Sequence, residues 1–469
     1  MLSRYSVNRK QRRSHCASYL DPFLHRQLLR LLAVCSLVIV SSACPARDAH
    51  QAPFDDHREY AGALPVFPGA EGYGAITPAG RGGNIVRVTT LASDGPGSLR
   101  NAVTQSGPKV IVFEVAGVIQ QSTPLVLTEP FVTVAGQTAP SPGITLAGAG
   151  IVVKTHDVLI QHLRVRVGDD PQGPKPEGRD ALGVTGIPAG TLEVYNVVID
   201  HCSLSWGIDE NASTWYAGVH DVTFRHCIIS EGLSHSLHPK GEHSKGLLIG
   251  DHSRRVAVIG NLFAHNTERN PLIKGDVSAL VANNLVYNPG RQAVHFSDPE
   301  GSGSSRAFIV GNVVIPGPDT AFSKSVHRVR FSTQPGTQVH AADNAILVDG
   351  SLSPIEAEDE AGTNPVTFAP LTLKPSVSVA EWVLANAGAR PADRDAVDRR
   401  IVQDTRENTG RIIDSPGDIG GLPPVEPASR PLTMPDNPNA DDNHDGYTNL
   451  ENWLHAFARE VEPGESKKP

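Results

Sequence analysis

"VAVIGNLFA" at 256–264, "LVANNLVYN" at 280–288 and "FIVGNVVIP" at 308–316 are versions of one phrase. Each sets apolar, mostly β-branched residues before a small polar pivot and more apolar residues after it. The same phrase reads in "VVIDHCSLS" (197–205), "VTFRHCIIS" (222–230) and "VHAADNAILV" (339–348). The pivots are Cys202, Cys227, Asn261, Asn284, Asn312 and Asn344, at successive gaps of 25, 34, 23, 28 and 32 residues. One short strand phrase per gap is the mark of stacked coils. The phrases are too short and too rich in Val and Ile for a helical array. The leucine framework of a leucine-rich repeat is absent. An all-β fold fits: a right-handed single-stranded parallel β-helix, whose coils bury an inner face only by stacking. Asparagines at equivalent inward turns can then bond to one another and to backbone from coil to coil. Weaker phrases, "VLIQHLRVR" (158–166), "FVTVAGQT" (131–138) and "KVIVFEVAG" (109–117), carry the stack backward.

Cys202 and Cys227 fall at one pivot on adjacent coils. Strands about 4.8 Å apart permit a disulfide by distance. Parallel side chains suit its dihedral poorly, and the pair reads as two buried thiols.

Around the stack the chain divides into a leader (1–44), a linker (45–65), the β-helix (66–350), a helical and irregular extension packed on it (351–430) and a terminal segment (431–469). The leader has seven Lys/Arg and one acid, then "LLRLLAVCSLVIVSSAC", a short apolar core ending in small residues. This is a secretory signal pattern, too short for a stable span. Cys44 is a candidate lipid-attachment site for a membrane anchor, although Ser41 stands where leucine is usual; cleavage without lipid fits equally. The leader's +6 leaves −15 of the net −9 on the remainder. A body so acidic is not a nucleic-acid binder, and a polyanionic substrate would need a basic strip or a divalent cation. In the extension, "SVAEWVLANAGARPADRDAVDRRIVQDTRENTG" (378–410) has helical spacing behind a Ser-Val-Ala-Glu capping box. A proline-rich connector (415–442) wraps along the stack, and the tail "EVEPGESKKP" reads as disordered.

Three clusters converge if the coils stack. "PEGRDALGV" carries Asp180. "IDHCSLSWGIDENAS" carries Asp200, His201, Asp209 and Glu210. "HPKGEHSKGLLIG" carries Lys240, His243 and Lys245, and "HNTERNPLIKG" (265–275) carries Arg269 and Lys274. Acids followed by cations on neighbouring coils suit elimination on a uronic-acid polymer. Asp180, Asp209 and Glu210 would hold calcium against the substrate carboxylate, and a cation beside it would stabilise the enolate-like intermediate. His201 reads as structural. Trp206 is either a sugar platform or a core edge. "DDNHDGYTNLENW" (441–453) starts like an EF-hand loop, with Asp441, Asn443, Asp445 and Gly446. Glu451 lies one place early for the closing acid, and a capped helix start is the alternative.

With "FPGAEGYGAITPAGRGG", "DGPGSLRNAV", "IDHCSLSW" and "VLANAGARPADRDAVD" added to these stretches, the chain resembles the bacterial pectate lyases of the parallel β-helix class from about Val66 to Gly421. The resemblance implies a secreted calcium-dependent lyase, acting as a monomer on de-esterified homogalacturonan. It implies Arg269 as the proton abstractor, Lys274 as a substrate-binding cation, and Asp180 with Asp209 or Glu210 as calcium ligands. Lys240, in "HPKG", matches the family lysine better than Lys245 does. Lys245, His243 and Trp206 are further substrate-binding candidates. Two positions depart from the pattern: Gly178 stands where many members have an acid, and Lys274 where arginine is common. Proline 271 interrupts strand alternation and would let Arg269 and Lys274 share one groove face. The alternatives are a polygalacturonate hydrolase using paired acids and a non-catalytic polysaccharide-binding β-helix.

Overall fold

A computed structural model describes residues 62–299, 301–321, 334–355 and 371–462. The leader, Cys44, nearly all of the linker and residues 463–469 of the tail lie outside the described residues. Three parallel sheets form the body, and neighbours within each sheet come from successive coils. The first has ten strands, from Asn84–Val88 to Gln338–Ala342. The second has seven, between Leu125–Leu127 and His295–Phe296. The third has eleven and is closed by antiparallel strands, Ala428–Ser429 on Val115–Gln120 and Ser351–Pro354 on Ala345–Val348. Among the described residues, no helix is long and apolar enough to cross a membrane.

Register makes the core. Val197, Val222 and Val256 are paired in line, as are Ile199, Phe224 and Val258, and all are fully buried. One β-branched or aromatic residue per coil at a fixed position therefore builds a continuous apolar column.

Between the first and third sheets, each coil from His162 onward turns a corner at a left-handed residue. His162, His201, His226, Gly260, Asn283, Gly311 and Asp343 hold this place, with φ of 58, 47, 49, 65, 53, 67 and 52°. Gly, Asn, Asp and His are the types that tolerate this region. At Gly260 a Cβ would also lie 2.7 Å from the His226 ring and 2.8 Å from Trp382.

The pivots follow one residue later. Asn284 Oδ1 accepts from the backbone N–H and the side-chain amide of Asn261, at 2.9 and 3.0 Å. Asn312 does the same for Asn284, and Asn344 for Asn312. The ladder reaches Cys227, whose N–H donates to Asn261 Oδ1 at 2.8 Å. Both cysteines are free, buried thiols.

Among the described residues, four α-helices cover the stack. Helix α1 (Leu99–Val103) buries Leu99, Ala102 and Val103 in the core with Val86 and Val88. Helices α2 (Ser376–Asn386) and α3 (Ala396–Glu407) lay Val379, Val383, Ile401 and Val402 against Leu262, Leu285 and Val313 of the third sheet. Helix α4 (Asn449–Val461) packs Leu450 and Leu454 on Val110, Val112 and Ala135 of the first.

The capping box expected at Ser378 does not form. α2 begins two residues earlier behind Pro375, and the Ser378 hydroxyl donates to the Pro375 carbonyl. The tail also departs from the expectation of disorder: Glu460 and Val461 belong to α4, and Glu462 is turned onto the stack at His162.

Candidate active site

Asp180, Glu210 and Lys245 stand at the leading ends of successive strands of the seven-stranded sheet. Glu210 and Lys245 begin their strands and are paired directly; Asp180 lies two residues before Leu182–Thr185. Arg269, with φ 65°, arrives on the next coil, where Glu268 bridges to Lys245. The repeat thus gathers side chains up to 89 positions apart along one sheet edge.

Carboxylate oxygens of Asp180, Asp209 and Glu210 lie within 4.8 Å of one another. Asp180 accepts from Ser213 Oγ at 2.5 Å and from the Glu210 N–H at 3.1 Å. Burial, reinforced by the Asp209 charge, pushes its carboxyl up to about 7. Asp209 goes the other way. Burial would raise it, but His243 Nε2 at 2.9 Å and the Gly178 N–H at 2.8 Å outweigh that and hold it low. The Arg269 guanidinium is ion-paired with Glu210. Burial lowers its pKa against the opposing charges of Asp209 and Asp180.

These three acids form an all-oxygen donor set, which suits a hard divalent cation. The raised Asp180 marks negative charge that the protein's own cations leave unbalanced. The residues fit calcium.

Other candidates have different places. Lys240 is exposed, and its N–H donates to His238 Nδ1. Lys274 follows Leu272–Ile273, with Nζ 3.8 Å from Asp251. Lys245 does not face a ligand: it is buried, and its Nζ is 2.5 Å from Glu268 Oε1. His243, also buried, spends Nε2 on Asp209 and stacks on His238 at 3.7 Å, so it orients an acid instead of meeting a sugar. Trp206 offers no platform. It is 2% exposed, donates to Glu231 at 2.9 Å and packs on Ile208, Leu233, Val397 and Ile413.

The helix start in the loop at 441–453 is capped, and the acids before it bond within the loop. Asp441 accepts the N–H groups of Asp445 and Gly446, Asn443 donates to Asp445, and Asp445 accepts from Tyr447. Glu451 has both oxygens engaged, one by the Thr448 N–H in a capping box and the other by Arg81 at 2.8 Å. Sequence reasoning missed His238 and Ser213, and it weighed Glu268 as a partner of Arg269, whereas Glu268 pairs with Lys245. The spacing of the histidines in "HPKGEH" was the available signal for the first.

No family model matches the sequence. Curated relatives do. A probable pectate lyase C of Aspergillus flavus is 32% identical over 427 residues, covering 85% of this chain and 95% of that one. The protein of the same name in Aspergillus fumigatus is 32% identical over 424 residues, covering 84% and 94%. Among solved structures, jun a 1, the major allergen from cedar pollen, aligns with a TM-score of 0.51 at 18% identity. It covers 67% of this chain and 91% of its own, a likeness of fold. The curated relatives are fungal, so the resemblance holds at the level of the family and not of its bacterial branch. By identity and near full-length coverage, the chain belongs to the pectate lyase family.

Proposed function

We propose that the protein is a secreted, calcium-dependent pectate lyase that cleaves de-esterified homogalacturonan by β-elimination, giving 4,5-unsaturated oligogalacturonides. The observation that carries this reading is one half-buried arginine set against three clustered carboxylates on a single sheet edge. A divalent cation held by Asp180, Asp209 and Glu210 would polarise the substrate carboxylate and take up the negative charge that keeps Arg269 protonated. Arg269 removes the C5 proton. The released pair becomes the C4–C5 double bond, and the C4–O bond breaks with its electrons on the departing oxygen, which takes a proton from water. Lys240 and Lys274 hold the uronate carboxylates and offset the charge that develops beside C5. Arg269 accepts the proton only as the neutral guanidine, which is scarce at neutral pH even when burial lowers its pKa, so the optimum is alkaline.

A hydrolase built on paired acids would leave the Arg269–Glu210 ion pair without a role, which favours elimination over hydrolysis. The test is ultraviolet absorbance of unsaturated uronide during incubation with polygalacturonate at mildly alkaline pH. A rise with calcium that chelator abolishes is expected; new reducing ends without absorbance would replace this reading with a hydrolase.

A further inference from the structure

A second group of convergent ligands sits at the corner between the first and third sheets. Among the described residues, His162, Asp200, His201 and Glu462 each turn one donor atom to a common point, all within 4.8 Å of one another. His162 Nε2 is 3.2 Å from Glu462 Oε1. His201 Nδ1 is 3.7 Å from that oxygen and 3.0 Å from Asp200 Oδ2. Metal–ligand bonds of about 2.0–2.2 Å in a tetrahedron put the donors roughly 3.3 Å apart. The observed spacings bracket that edge.

The outer contacts aim the same way. His162 Nδ1 lies 2.7 Å from the Ala389 carbonyl, which fixes its N–H there and leaves Nε2 with a lone pair. That atom is fully buried and has no hydrogen-bond donor. His201 Nε2 lies 3.2 Å from His226 Nδ1, and donation there leaves Nδ1 for a ligand. Arg225 takes the other Asp200 oxygen at 3.0 Å, while Gln161 steadies Oδ2 at 2.9 Å. Glu462 is 29% exposed at the side chain and, with His201, lines an open cleft of about 760 Å³ that gives a route in.

We infer that His162, Asp200, His201 and Glu462 form a structural site for a borderline transition-metal dication, zinc foremost. Two imidazoles argue against calcium, which takes oxygen. Four protein ligands leave no open position for chemistry. The ion would join the end of α4 to two coils of the stack.

The test uses the mature full-length protein, stripped with chelator, returned to saturating calcium and titrated with zinc by calorimetry and with cobalt by visible absorption. One tight equivalent and a tetrahedral cobalt spectrum are expected. Glu462→Gln, at a partly exposed helix end, should weaken zinc by more than the roughly 10–100-fold that loss of an outer-shell partner costs. Its melting curve in chelator reports whether the fold is intact. His238 and His243 beside Asp209 are the internal competitor. No tight equivalent would overturn the assignment. So would a tight equivalent unchanged by Glu462→Gln but lost in His243→Gln.

Discussion

Two carboxylate clusters stand on this stack, and their charges are settled in opposite ways. At the groove edge, burial and Asp209 drive Asp180 up to about 7, while Arg269 is committed to Glu210. At the corner, Asp200 is buried more completely, with no exposure. There the charges of His201 and Arg225 outweigh burial and hold it well below the usual carboxylate range. One repeat supplies both frames, so depth in the fold does not decide a buried acid's state. Its neighbours do. The groove keeps unbalanced negative charge for a hard cation and an anionic substrate, whereas the metal-free corner balances its own with a protonated His201, whose proton a bound metal would displace.

The sharpest test of that contrast is Arg269→Lys, which keeps a charge near Glu210 but removes the guanidinium. Turnover should fall about 10²–10⁴-fold, the range for losing a positioned proton acceptor, with binding to polygalacturonate retained in a sedimentation assay. Activity within tenfold of wild type would break the assignment of the base.

Next comes the pair of lysines. Lys245→Ala strands Glu268 in a largely buried site and should cost about 3 kcal/mol in denaturant melts. Lys240→Ala, at the surface, should leave the midpoint in place and raise KM. If Lys245→Ala instead melts like wild type and changes only KM, that side chain reaches substrate after all.

Asp180→Asn gives an effect that depends on pH and reverses with calcium. A carboxyl raised from 3.8 to about 7 in the folded state contributes stability below its unfolded pKa and loses it as pH rises through the folded one. In chelator, wild type should therefore lose melting temperature relative to Asp180→Asn between about pH 4 and pH 7. Saturating calcium should remove the loss in wild type only. Parallel curves would mean that Asp180 is not the strained acid of the groove.

Much of this was legible because the repeat is written in side chains that do the stacking. Asn261, Asn284, Asn312 and Asn344 bond in the ladder that their spacing anticipated, and Asp180, Asp209, Glu210 and Arg269 meet as the coil register requires. Orientation at corners was not legible. Trp206, at a left-handed turn with φ 62°, is directed away from the groove although Asp209 follows three residues later. "VLANAGARPADRDAVD" was informative as a pattern but silent about its task. Asp395 and Asp398 in it clamp the fully buried Arg166 at 2.5 and 2.8 Å, fixing α3 to the third sheet. Periodicity cannot reveal such a long-range pair, because its halves lie 229 and 232 residues apart.

The smallest effect concerns a third set of acids, at 441–451, which satisfies itself. Thr448 caps α4 by accepting the Glu451 N–H at 3.2 Å, and Glu451 returns the bond to the Thr448 N–H at 2.8 Å. Thr448→Ala should cost about 1 kcal/mol, the usual loss of an N-cap. Because both Glu451 oxygens are already occupied by Thr448 and Arg81, the loss should be equal in calcium and in chelator. If calcium instead stabilises wild type by way of this loop, and Thr448→Ala removes that gain, the cap is only a metal-free arrangement. The loop would then join the groove as another place where the protein leaves negative charge for calcium.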